Sequence, residues 1–94
     1  CGLVPTQIDG VFETELGYFL HPDFWGKGFA TEAASAVLEV AKNRFQLKRV
    51  VSAINPANTP SVEVAKRLGM KKEKVGKASV ADFTWEAEVW AINF

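Results

Sequence analysis

The run Phe24-Trp25-Gly26-Lys27-Gly28-Phe29-Ala30-Thr31-Glu32-Ala33 sets the strongest limit on how this chain can fold. It lies between a strand-like segment and a long stretch of helical periodicity. Two glycines one residue apart allow a tight turn and a close backbone approach that any Cβ would obstruct. The helix opening behind them directs unpaired N–H groups and the positive end of its dipole at the same point. Such a strand–turn–helix corner is a seat for an anion, best matched by a phosphate or pyrophosphate.

Ninety-four residues allow one domain, 1–94, and a chain of this size buries about 60–65% of the surface its unfolded form exposes. A hydrophobic fraction of 48% with 23% charged residues describes a globular protein rather than a disordered tail. No apolar run reaches the roughly 20 residues of a membrane span, and no signal peptide opens the chain, so no membrane partner is expected. The single cysteine, Cys1, excludes an internal disulfide and suits a reducing, cytoplasmic compartment. The net charge of zero conceals a division. Residues 1–40 hold six acids against Lys27 alone, and residues 41–77 hold ten bases against Glu63 and Glu73. Two readings stand: ordinary solvated faces, or an acidic side for a cationic acceptor beside a basic side for phosphates. Nucleic acid is not an expected partner, because the bases lack interleaved aromatics and any docking motif.

Along the chain, Cys1 to Val4 reads as the end of a strand, Pro5 to Gly10 as turn, and Glu13 to Leu20 as the returning strand of a hairpin. Alternation puts Leu16, Tyr18 and Leu20 on one face and Glu13, Glu15, Gly17 and Phe19 on the other. Gly17 within a strand points to a bulge or to the close approach of a ligand. The spacing of Ala30, Ala33, Ala34, Val37, Leu38, Ala41 and Phe45 predicts a helix over roughly 27–45, its small residues allowing close packing on a sheet. Arg49 to Asn55 is an apolar and therefore central strand. Thr59 with Pro60 predicts a helix start, and Gly69 its end. Strands over 70–75 and 83–94 complete the order. A Walker loop would need Ser or Thr where Gly28 stands. A dinucleotide fingerprint would need glycine at Thr31 and an acid at Asn55. Both fail.

The order of elements, with Glu15-Leu16-Gly17-Tyr18, Trp25-Gly26-Lys27-Gly28-Phe29-Ala30-Thr31-Glu32-Ala33, Asn58-Thr59-Pro60-Ser61 and Arg67-Leu68-Gly69-Met70, resembles the GNAT N-acetyltransferases, within them the RimJ/RimL-like branch. In the family motif Q/R-x-x-G-x-G/A, Gly28 and Ala30 match the fourth and sixth positions and Trp25 replaces the first, as is common in this branch. The resemblance implies an α/β (α+β) fold: a mixed, mostly antiparallel sheet with a long cofactor-binding helix and a second short helix, a partial acyl-CoA N-acyltransferase fold. It implies transfer of the acetyl group from acetyl-CoA to a primary amine, a protein N-terminus among the candidates, with no metal.

The residue roles follow from the same resemblance. Backbone N–H groups of the loop Trp25, Gly26, Lys27, Gly28, Phe29, Ala30 and Thr31 would hold the pyrophosphate. Asn55 and Asn58 would lie along the pantetheine arm, and N–H groups near Phe19 and Leu20 would meet the oxyanion. Ser61 would protonate the leaving thiolate, and Glu15 is the strongest candidate among the acids for taking the amine proton. Each has a plainer alternative: Ser61 a first-turn helix residue, Asn58 a capping residue, Glu15 a solvated strand carboxylate, His21 a loop residue. The family also has elements ahead of the point where this sequence starts. The expectation is therefore a C-terminal part, with an unpaired strand flank and a bare helix face, that self-associates as a homo-oligomer or is completed by another chain. A non-catalytic CoA-binding or assembly module that keeps the scaffold is the competing class.

Overall fold

Asp9 and Gly10 have φ of 51° and 84°, the paired positive values that a two-residue type I′ hairpin turn demands. They join β1 (Gly2–Ile8) to β2 (Val11–Gly17) in an unbroken antiparallel register running from Ile8↔Val11 to Gly2↔Gly17. The strand therefore continues through Pro5 to Ile8, where the sequence suggested a turn. Pro5 pairs with Thr14, and counting back from the turn this is a non-hydrogen-bonded position, so the missing N–H costs no β1–β2 bond. The β1–β2 register is regular as far as Gly17, the last described residue of β2, and a separate register shift lies in β4 between Lys72 and Lys74.

The computed structural model describes residues 2–17, 29–80 and 82–94. Beyond the first hairpin come α1 (Phe29–Asn43), β3 (Arg49–Ile54), α2 (Thr59–Arg67), β4 (Lys71–Val80) and β5 (Phe83–Asn93). Strand order is β1-β2-β3-β5-β4, and among the described residues only the β2–β3 pair is parallel. Two further pairs, Gln7↔Ser79 and Ile8↔Ala78, bring the ends of β1 and β4 together. The Asp9 turn is fastened to β4: Asp9 N–H donates to Lys77 O at 2.8 Å, Lys77 N–H to Asp9 Oδ1 at 2.9 Å, and Lys74 Nζ lies 3.0 Å from Oδ2. Gly76 leaves room for this, since a Cβ there would stand 2.7 Å from Asp9 Oδ2.

Both helices cover one face of the sheet. Ala34, Leu38 and Ala41 of α1 pack with Leu16 and Val50, while Ala65 of α2 packs with Ile54, Met70 and Trp90. The opposite face carries Ile8, Val51, Ala78, Ala87, Val89 and Ala91. β3 lies between β2 and β5, as its apolar run predicts. Ala33 is exposed and Phe45 lies beyond the helix, also exposed. The last turn of α1 widens, with Phe45 N–H bonding Val40 O, and Gln46 at φ 54° swings Leu47 into the cluster in place of Phe45. α2 ends as the sequence predicts. Gly69 (φ 85°) donates to Lys66 O and Met70 to Ala65 O, the two bonds of a Schellman motif.

Part of the charge division along the chain is cancelled across the strands. Asp9 meets Lys74, Glu13 meets Arg49, and Lys72 meets Glu88, so acids of one segment pair with bases of another across the strands. Val11, Phe12, Val75 and Phe83 are exposed apolar side chains on the hairpins. Among the described residues, no helix is long and apolar enough to cross a membrane.

Candidate active site

The site grows from the parting of β2 and β3. Below it, the strands are clamped: the Arg49 guanidinium donates to Glu13 at 3.0–3.2 Å and, in a fork, to both oxygens of Glu73 at 2.6 Å. One rung higher, Glu15 pairs with Val51, the only register pair of this parallel ladder among the described residues. Above that the strands separate, and a groove of about 340 Å³ opens. Its walls are Glu15, Leu16 and Gly17 of β2, Ser52 to Ile54 of β3, and Asn55, Asn58 and Ser61 at the entrance to α2. Val4, Val80 and Trp85 form an apolar flank.

The approach to α2 is shaped by two asparagines. Asn55 Oδ1 accepts from Ala57 N–H at 2.9 Å, and Asn58 N–H donates to Asn55 O at 2.8 Å, which folds the loop into a turn. Asn58, not Thr59, is the N-cap, its Oδ1 accepting from Ser61 N–H at 3.3 Å. Pro60 explains the choice. As second residue of the helix it removes one unpaired N–H, and Asn58 satisfies the next. Asn58 thus fills the capping role while also lining the groove, and Ser61 stands half-buried in the first turn of α2, where the helix dipole favours negative charge.

Glu15 is not the solvated carboxylate that strand alternation allowed. It is 8% exposed. The Thr6 hydroxyl donates to Oε1 at 2.7 Å and Ala53 N–H donates to Oε2 at 2.9 Å. Ser52, buried beside it, donates its hydroxyl to Leu16 O at 3.0 Å. Sequence reasoning missed Thr6 and Ser52. The available signal was Ser52 itself, one hydroxyl inside the apolar run Val50 to Ile54, which had to find a buried partner. Thr31, in the first turn of α1, has a buried Oγ1 with no partner among the described residues. Glu15, Asn55, Asn58 and Ser61 are brought together in one groove. Phe19, Leu20, His21, Trp25, Gly26, Lys27 and Gly28 lie outside the described residues, and α1 begins with Phe29 and Ala30.

The Arg49 fork has a consequence for acid stability. Its hydrogen bonds hold the Glu73 carboxyl below the usual glutamate range, while Glu73 and then Glu13 raise the guanidinium above its own. A carboxyl with a lowered folded value contributes stability that is present above the unfolded value, about 4.3, and lost as pH falls through the folded one. Arg49→Ala is therefore expected to flatten the loss of stability below about pH 4.3 and to cost about 1 kcal/mol at neutral pH, solvent screening limiting the pair. Urea midpoints at pH 3 and pH 7 would measure both effects. An undiminished acid slope would refute the assignment.

A family model described as an acetyltransferase (GNAT) domain matches residues 1–71. The chain is 39% identical over 74 residues to the uncharacterized protein YkkB of Bacillus subtilis (strain 168), covering 79% of this chain and 43% of that protein. It is 34% identical over 80 residues to the uncharacterized N-acetyltransferase YnaD of the same organism, covering 83% of this chain and 47% of the relative. A solved acetyltransferase (GNAT family) from Bacillus anthracis matches with a TM-score of 0.73 at 32% identity, over 85% of this chain and 49% of its own. The chain thus spans a little under half the length of these relatives. The α+β architecture with its mostly antiparallel sheet and two helices agrees with that likeness, and the chain belongs to the GNAT acetyltransferase family.

Proposed function

We propose that this chain forms the cofactor-binding part of an N-acetyltransferase that moves the acetyl group of acetyl-CoA to a primary amine. The observation that carries the reading is the groove between β2 and β3, into which the capped entrance of α2 also opens. Its volume of about 340 Å³ falls in the usual range for small-molecule sites. The Thr31 hydroxyl, without a partner among the described residues, fits the same ligand. A phosphate oxygen near the start of α1 would give it an acceptor.

Acetyl-CoA supplies a thioester carbonyl open to attack by a neutral amine. Backbone N–H groups of Trp25, Gly26, Lys27 and Gly28, with those of Phe29, Ala30 and Thr31 at the start of α1, would hold the diphosphate. Asn58 has committed Oδ1 to its cap, so what it offers the pantetheine arm is its Nδ2 donor, and Asn55 stands beside it. Backbone N–H groups near Phe19 and Leu20 would stabilise the oxygen that becomes negative. As the amine nitrogen bonds to the carbonyl carbon and the C–S bond breaks, Ser61 would pass its hydroxyl proton to the departing sulfur and regain one from water, while the amine proton leaves to water, Glu15 being held by Thr6 and Ala53. The Trp25-Gly26-Lys27-Gly28 sequence favours the RimJ/RimL-like branch, and with it a protein N-terminus as acceptor.

Titration calorimetry with coenzyme A, followed by thiol release from acetyl-CoA in the presence of peptide, polyamine and amino-acid amines, tests the reading. Saturable binding with turnover of at least one amine is expected. Binding without turnover would favour a non-catalytic CoA module, and no binding would remove both.

A further inference from the structure

We infer that Glu15 and Ser52 keep the groove open by jointly replacing one rung of the β2–β3 ladder, which makes Glu15 a positioning residue. In a parallel pair, each strand turns its N–H and C=O groups toward the other at alternate residues. Glu15 meets Val51 in register, and Ala53, two residues further, aims its N–H toward β2. A regular ladder would give that N–H to the carbonyl of Leu16. Both members of this rung are bonded elsewhere. Ala53 N–H donates to Glu15 Oε2 at 2.9 Å, and Leu16 O accepts from the Ser52 hydroxyl at 3.0 Å.

Two side chains from opposite strands therefore occupy the places the two backbones vacate. Left unpaired, both backbone groups would favour drawing the strands together, the buried Leu16 carbonyl most strongly and the half-buried Ala53 N–H less. The carboxylate is itself held, since the Thr6 hydroxyl donates to Oε1 at 2.7 Å from β1. Thr6, Glu15 and Ser52 are the buried polar side chains of the described residues, and all three belong to this one arrangement. On its other side stand Asn58 and Ser61, so the width that the brace sets is the width available to a ligand.

What fills the groove rests on the proposed function. The brace does not, and the experiment separates them. Amide hydrogen exchange at Ala53 reads the brace, and coenzyme A affinity reads the groove. Glu15→Ala is expected to speed Ala53 exchange about tenfold or more and to weaken coenzyme A binding about tenfold. Glu15→Gln restores both to within about threefold, because its Oε1 accepts from Ala53 while its Nε2 donates to a rotated Thr6 hydroxyl. Ser52→Ala, a smaller change that protects against loss of folding, is expected to leave Ala53 protected and weaken coenzyme A about threefold. Wild-type coenzyme A affinity in Glu15→Ala, or failure of glutamine to restore Ala53 protection, would overturn the inference. If the wild-type chain binds no coenzyme A, the functional reading falls, and the alanine–glutamine exchange comparison still decides the brace.

Discussion

Replacing Leu16 by alanine is expected to destabilise the fold by about 3–4 kcal/mol, the middle of the range for such truncations. Leu16 is 1% exposed, and its side chain projects from β2 into the cluster beneath α1. Its neighbours there include Ala34 and Ala41, both fully buried. Alanine has no side chain that can swing into a void, and Val50 is fixed in the central strand. Relaxation is left to Leu38 and the partly buried side chains around the cluster, so much of the cavity term remains. Domains hold only about 5–15 kcal/mol in total, and for this size each kcal/mol moves Tm by about 4–8 °C, so a fall of roughly 12–30 °C follows. Urea unfolding should show a lower midpoint with unchanged slope. Leu16→Met, close in volume, should cost under about 1.5 kcal/mol. A loss below about 1 kcal/mol for the alanine variant would mean that α1 does not rest on this side chain.

That prediction uses a pattern the sequence displayed openly. The alternation of Leu16 against Glu15 and the helical spacing of Ala34, Leu38 and Ala41 are local, and the structure realises both. The same holds for Gly69, whose positive φ could be read from its place after a helical run. Where reading failed, the deciding partner was distant. Pro5 looks like a turn residue, and only its pairing with Thr14 shows that its missing N–H is harmless. The alternation of β2 could tell that Glu15 faces away from Leu16. It could not tell that this second face is also covered, because the residues that do so, from Ile8 to Ala91, arrive from four other strands. Thr59 ranks well as an N-cap in isolation, yet Asn58 one residue earlier leaves Pro60 where no N–H is needed. The site followed the same rule. Asn55, Asn58 and Ser61 were legible as a local motif, whereas Thr6 and Ser52 acquire meaning only through Glu15 and Leu16. Local chemistry could be read early, and cross-strand chemistry required the fold.

Ser61→Ala is expected to lower acetyl transfer about 10–10²-fold while changing coenzyme A affinity by less than about threefold. The limited size of the loss is part of the argument. Ser61 sits in the first turn of α2, and the field of that helix end eases negative charge on a departing thiolate whether or not a hydroxyl is present. Under the proposed role, removing the hydroxyl would delete the proton donor and leave the electrostatic help. The helix itself should be little disturbed, because the Ser61 N–H that Asn58 caps belongs to the backbone and survives the substitution. Asn58→Ala provides the contrast, with about 1 kcal/mol of stability lost through the cap. An acetyl thioester of a more acidic thiol leaves readily without protonation, so the Ser61→Ala deficit should shrink with such a donor if the hydroxyl acts as an acid. A deficit equal for both donors would assign Ser61 to positioning, and unchanged turnover would remove it from the chemistry altogether.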